Sequence, residues 1–164
     1  MDELARFELK RHARYPSPLA LGLIDVDNFK SVNTRYLLTG GDEVLRCLAR
    51  ILSASVREVD SVGRLGGEEF LVIAREADGP GAVTLAERIR ETVESTPIRY
   101  GLENIRVTVS VGFAVAEVAV VTDYQPMLEV AAAALAHAKE HGRNRSEVRR
   151  VAPSHQATAL ASSV

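Results

Sequence analysis

Two stretches of the chain bring together residue types that do chemistry. In Arg64-Leu65-Gly66-Gly67-Glu68-Glu69-Phe70 a glycine pair precedes two adjacent carboxylates. Glycine reaches positive φ without a Cβ clash, and a bare backbone lets a phosphate approach closely, so a turn through Gly66 and Gly67 can hold a nucleotide. Glu68 and Glu69 open the outgoing apolar run Phe70 to Ala74. Consecutive side chains on a strand face opposite ways, so at most one of the two acids is placed to meet a metal at a given site. In Leu21-Gly22-Leu23-Ile24-Asp25-Val26-Asp27-Asn28-Phe29-Lys30 an apolar run ends in Asp-x-Asp ahead of a helix start. That puts a carboxylate at the C-terminal edge of a strand, where α/β sheets build sites. Each feature has a plainer alternative. Glycine pairs and acids are common at solvated hairpin tips, and Asp27 or Asn28 can cap the next helix. Asp25 is harder to account for blandly, because it interrupts a run that is otherwise core.

These residues need a scaffold, and the periodicities supply one. Leu19 to Ile24 reads as a buried strand, and Ser61 to Leu65 with Phe70 to Ala74 reads as a tight hairpin. Residues 3–14 form an amphipathic pattern closed by Pro16 and Pro18. Phe29 to Tyr36 gives a short helix, and Asp42 opens a longer one with Val44, Leu48, Ile51, Leu52 and Val56 on one face. Ala82 to Val93 repeats the helical period until Pro97. Ile105 to Val111 alternates as a strand that Gly112 to Ala116 extends. The alanine-rich segment Ala131 to His141 is helical, with Gly142 as C-cap, and a last short strand lies around Ser146 to Val151. Because the central pair is a hairpin, the sheet is mixed or antiparallel rather than doubly wound.

Composition sets the limits. The chain has 164 residues, 46% hydrophobic, with net charge −2, which suits one domain of ordinary size and gives no hint of a nucleic-acid surface or membrane patch. No apolar run approaches the roughly 20 residues of a membrane span. The single cysteine, Cys47, lies among apolar helix positions and suits a buried thiol in a reducing cytoplasm. The tail from Ala152, rich in Ser, Ala and Thr, is expected to be flexible.

Five motifs in order, Asp25-Val-Asp-Asn-Phe-Lys-x-x-Asn33, Gly41-Asp42, Arg64-Leu-Gly-Gly-Glu-Glu-Phe70, Ser110-Val-Gly112 and Ala138-Lys139-x-x-Gly142-Arg143-Asn144, resemble the GGDEF family of diguanylate cyclases, in its GGEEF variant. The resemblance covers about Phe7 to Val148. It implies an α+β fold with a ferredoxin-like palm, a domain over residues 1–151 and a tail over 152–164. It also implies a cytoplasmic bacterial signalling enzyme that condenses two GTP into cyclic di-GMP and two pyrophosphates. Such a domain works as a homodimer, is inhibited by its product and is fused to or regulated by a sensory domain.

By the same resemblance, Asp25, the Val26 carbonyl and Glu68 hold Mg²⁺ or Mn²⁺, with Asp25 and Glu68 as the catalytic pair. Substrate contacts fall to Asn28, Phe29, Lys30, Asn33, Asp42, Leu45, Gly66, Gly67, Lys139 and Arg143. The chemistry of these types fits. Carboxylates suit a hard cation, helix-opening N–H groups at Asn28 to Lys30 suit phosphate, and Lys139 and Arg143, four apart, can share one polyphosphate. A carboxylate at Asp42 accepts from guanine N–H groups that adenine lacks, while its plainer role is an N-cap. Arg57-Glu-Val-Asp60 matches the family's inhibitory RxxD motif, and Arg88 matches a second arginine of that product site; a surface ion pair is the ordinary alternative. His137 and His141 read as solvated helix residues.

Three departures stand out. The family's opening segment of the type D-x-L-T-G-L-x-N-R is absent from this sequence, the usual Gly-His is replaced by Leu37-Leu38, and the common Ala-Asp-x-Ala-Leu-Tyr becomes Ala131-Ala-Ala-Ala-Leu-Ala136. Two other functions stay open: a catalytically weak domain that binds GTP or cyclic di-GMP as a sensor or scaffold, and a cyclase making a mixed guanine–adenine product.

Overall fold

The structure, a computed structural model, describes residues 17–116 and 125–152. The expected helix over 3–14 and the tail from 153 onward lie outside them. A five-stranded sheet runs in the order β2-β3-β1-β6-β7. Its central strand β1 (Leu19–Val26) is buried along all eight residues and pairs antiparallel with β3 (Glu69–Arg75) and β6 (Val109–Ala116). β2 (Ser61–Gly66) closes the hairpin on β3, and β7 (Ser146–Arg150) lies parallel to β6.

Alternation sorts the two faces. Ala20, Ile24 and Val26 of β1 pack with Phe70, Val72, Val111 and Phe113 under α1 (Phe29–Ser55) and α2 (Gly79–Ser95). Leu19, Leu21 and Leu23 pack with Leu71 and Ile73 against Met127, Ala131 and Leu135 of α3 (Gln125–Glu140). The expected mixed α+β sheet is therefore present, with helices on both faces. The approach of α3 is close at Gly112, where a Cβ would lie 2.2 Å from the Leu135 nitrogen and 2.5 Å from the Ala131 carbonyl oxygen. Only glycine lets α3 sit this deep, and the contact fixes where the helix end arrives.

Two expectations change. The helix over Asp42 does not begin there, because Phe29–Ser55 runs as one element broken at Leu37, whose φ is 61° and ψ 178°. Gly40 and Gly41 stay helical because their bare Cα atoms leave room for Tyr36 Cβ and Asn33 Oδ1, which a Cβ would meet at 2.4 and 1.9 Å. Asp42 is thus an interior helix residue, not an N-cap. The strand expected from Ile105 through Val111 is split. β5 (Glu103–Ile105) pairs with β4 (Ile98–Tyr100) in a separate hairpin, and β6 starts at Val109. Ile105, Val107 and Val109 are all buried, so the alternation continues across the gap although the backbone pairing does not. Cys47 is half-buried rather than buried, and burial pushes its thiol up.

Candidate active site

The C-terminal end of β1 gathers the charged groups. Asp25 is opposite Glu69 on β3 and Ser110 on β6, and residues directly opposite share a sheet face, here the α3 face. The residue is 6% exposed. Burial raises its pKa above the ordinary carboxylate value, the charges of Glu68 and Glu69 raise it further, and Lys139 opposes them. Lys139, in the last turn of α3, places its Nζ 2.9 Å from Asp25 Oδ2.

The glutamates sit differently from the expectation. Gly66 is the last residue of β2, paired with Glu69, and a register irregularity lies between Arg64 and Gly66. The turn is Gly67-Glu68, with Gly67 at φ 52° and its carbonyl accepting from Arg64 Nε at 2.8 Å. Glu68 is therefore a half-buried turn residue rather than the first strand residue, and the opposite-faces rule does not separate it from Glu69. Both glutamate charges act on Asp25. Among the described residues no group of three or more His, Cys, Asp or Glu is arranged to hold a metal. A cation here would take one or two protein carboxylates and complete its shell with phosphate and water, which is the habit of Mg²⁺.

Helix α1 begins at Phe29, with Asn28 as N-cap at φ 54°. No side chain caps it and no acid lies in its first turn. The Ser31 N–H donates to the Asn28 carbonyl at 2.8 Å, and the N–H groups of Phe29 and Lys30 before it are open to an anion. The expected capping by Asp27 or Asn28 is absent. Asp27, 5% exposed, instead accepts from Thr108 Oγ1 and Ser110 Oγ, each at 2.7 Å, and from the Asn144 backbone N–H at 3.0 Å. Lys30 is exposed. Lys139 and Arg143 do not share a helical face as their spacing suggests, because α3 ends at Glu140 and the chain turns through Gly142, φ 112°, and Arg143, φ 62°.

A groove of about 450 Å³ opens between α1 and the β2–β3 hairpin, lined by Asp42, Leu45, Arg46, Ala49 and Ser53 on one side and by Val62, Gly63, Arg64 and Phe70 on the other. Leu45 is buried in its wall and Asp42 is exposed at its edge. Asn33 crosses the break in α1 to pack on Gly41, which sets it beside Asp42.

The model of the diguanylate cyclase GGDEF domain matches residues 1–145. The chain belongs to the GGDEF family. Diguanylate cyclase DosC of Escherichia coli K12 is 37% identical over 142 residues, which are 86% of this chain and 30% of that protein. The chain thus spans under a third of that relative's length. Among solved structures, diguanylate cyclase SiaD of Pseudomonas aeruginosa, in complex with its activator SiaC, superposes with a TM-score of 0.81 at 36% identity, covering 91% of this chain and 56% of that one. The GGDEF domain of DgcB from Caulobacter crescentus, in complex with c-di-GMP, gives 0.81 at 28% identity, covering 92% and 85%.

The residues matching the family's inhibitory motif cluster at the far end of α1. Asp60 accepts from the Arg57 N–H at 2.9 Å and from the Arg75 N–H at 3.0 Å, so its carboxylate braces the turn rather than pairing with the Arg57 guanidinium. Arg88 of α2 donates to the Ser55 carbonyl, two residues before Arg57. His137 and His141 stack with ring centroids 3.8 Å apart. Glu147 of β7 brings an oxygen 3.3 Å from His137 Nδ1, a neighbour that spacing along α3 could not reveal.

Proposed function

We propose that this GGDEF domain is a diguanylate cyclase. The observation that carries the assignment is the convergence at the end of β1: Asp25, the charges of Glu68 and Glu69, Lys139 and an uncapped helix start. One edge of the sheet thereby offers carboxylates for a cation and N–H groups for phosphate. Each GTP 3′-hydroxyl attacks the α-phosphorus of the other nucleotide. An O–P bond forms, the bond to pyrophosphate breaks, and the hydroxyl proton leaves to solvent or carboxylate; two such steps give cyclic di-GMP and two pyrophosphates. The protein's work is positioning and charge, without a covalent intermediate.

Mg²⁺ or Mn²⁺, when bound, would neutralise phosphate charge and acidify the 3′-hydroxyl; Asp25, the Val26 carbonyl and Glu68 would hold it. Asn28, Phe29 and Lys30 receive the phosphates at the helix start, with Lys139 and Arg143 adding cations, and Gly66 and Gly67 let the hairpin approach the nucleotide. Asn33, Asp42 and Leu45 form the guanine site at the groove. One domain holds one GTP, so two copies face each other for turnover. Regulation by a sensory partner and a cytoplasmic setting belong to the same proposal. Product feedback through Arg57, Asp60 and Arg88 is supported by their shared end of the fold, and Arg57→Ala that remains fully inhibited by added cyclic di-GMP would remove it. Incubation of the chain with GTP and Mg²⁺ is expected to release cyclic di-GMP and pyrophosphate. GTP binding without product would leave a nucleotide-binding module instead.

A further inference from the structure

We propose that Asp27 and Asn144 are positioning residues that hold Arg143 toward the nucleotide phosphates; this rests on the assignment of Arg143 as a phosphate contact. Gly142, Arg143 and Asn144 have φ values of 112°, 62° and 44°, three left-handed residues in succession. Non-glycine residues hold this conformation only where their surroundings fix it.

The fixing contacts are all present. The Arg143 N–H donates to the Ala138 carbonyl at 3.1 Å, tying the turn to α3. The Asn144 N–H donates to Asp27 Oδ2 at 3.0 Å, tying it to the end of β1. The Asn144 amide donates to Glu94 Oε1 at 2.7 Å and accepts from Arg90 Nη1 at 3.3 Å, tying it to α2. Hydrogen bonds from Asn144 and Arg90 hold the Glu94 carboxyl below the usual range, so this last tie is charged.

Asp27 is the hub. Its buried carboxylate accepts from Thr108, Ser110 and Asn144, and its own N–H donates to the Thr108 carbonyl at 2.9 Å. It thus fixes the beginning of β6 and the Arg143 turn relative to Asn28, the next residue, where the phosphate-binding N–H groups begin. Three donors use most of the acceptor capacity of one carboxylate, which separates Asp27 from Asp25. Asp25 is the ligand-type acid and Asp27 the structural anchor of the phosphate site. An asparagine at position 27 preserves this role. Its oxygen still accepts from Asn144 and Thr108, and its amide donates to the Ser110 hydroxyl, which can accept as well as donate.

The test is a double-mutant cycle on the affinity for 3′-deoxy-GTP with Mg²⁺, which binds but lacks the attacking hydroxyl. Arg143→Ala is expected to weaken binding about tenfold, the scale of one charge-assisted phosphate contact. Asp27→Ala is expected to lose as much, the double variant to be no weaker than Arg143→Ala by more than about twofold, and Asp27→Asn to bind like the wild type. Full multiplication of the two losses, wild-type affinity in Asp27→Ala, or Asp27→Asn as weak as Asp27→Ala overturns the positioning role. Wild-type affinity in Arg143→Ala is a different failure: it removes Arg143 from the phosphate site and the proposal with it. Where Asp27→Ala does not fold, the same cycle with Asn144→Ala, at a half-buried position outside the core, removes the side-chain ties to Glu94 and Arg90, and wild-type affinity or full multiplication with Arg143→Ala there overturns the positioning role.

Discussion

The ammonium of Lys139 lies 2.9 Å from a carboxylate oxygen of Asp25, joining the end of α3 to the end of the central strand. Burial and the two hairpin glutamates raise the Asp25 pKa, and Lys139 lowers it. A carboxylate must be ionised to hold a cation. Lys139→Met therefore leaves Asp25 protonated to higher pH, and the acid limb of the rate profile is expected to move upward in pH. KM for GTP should rise about tenfold as a phosphate contact is lost. A pH–rate profile of the variant checks both.

Asp25 is also expected to weaken the fold. Its folded pKa lies above the ordinary value, so the native state binds its proton more tightly than the unfolded chain does. Stability then falls as pH rises through the window between the ordinary and raised values, and the full cost applies above it. Asp25→Asn should have a higher Tm than the wild type at pH 7, with the difference vanishing below about pH 4. Thermal melts at both pH values measure it, and a lower Tm at pH 7 would contradict the sign.

Leu37 carries strain without compensation from burial. Its φ of 61° and ψ of 178° fall in a region that is essentially reserved for glycine and costs other residues about 1–3 kcal/mol. Its side chain is 70% exposed. Leu37→Gly is expected to stabilise the domain by about 1 kcal/mol after the entropy of glycine is deducted, read as a shift in urea midpoint. An unchanged or lower midpoint would mean that the Leu37 side chain has a role the fold does not show.

Asp42 stands at the edge of the groove walled by Leu45. In the guanine-binding role proposed for it, this carboxylate would accept from the N–H edge of guanine and be left unpaired by adenine. Asp42→Ala should lower the preference for GTP over ATP about tenfold or more, in competition for one enzyme sample. Undiminished preference would remove Asp42 from base recognition.

Much of this was legible in the chain because the signals are local. β1, the β2–β3 hairpin, α2 and α3 all follow from periodicity and their stops. Asp25 stood out as a charge inside a core run, and the structure gives it 6% exposure. What was not legible depends on contacts between distant residues. The role of Asp27 is defined by Thr108, Ser110 and Asn144, 81 or more positions away, so its place after an apolar strand suggested a site acid or a cap and not an anchor. The first helix ends at Tyr36 as its period indicates, at the Leu37 break, but the second begins before the expected Asp42 because Gly40 and Gly41 stay helical and make room for Tyr36 and Asn33. The split after Ile105 was hidden because buried residues keep alternating while the chain passes from one sheet to the other.

The central claim is that Asp25 and Glu68 jointly hold a cation on the GTP triphosphate. It is tested most directly by the rate of cyclic di-GMP formation from saturating GTP and Mg²⁺ in Asp25→Asn and Glu68→Gln. Each variant is expected to lose about 100-fold or more while retaining its fold, the loss typical of removing one group that stabilises developing charge. Formation of product at the wild-type rate by either variant would contradict the account.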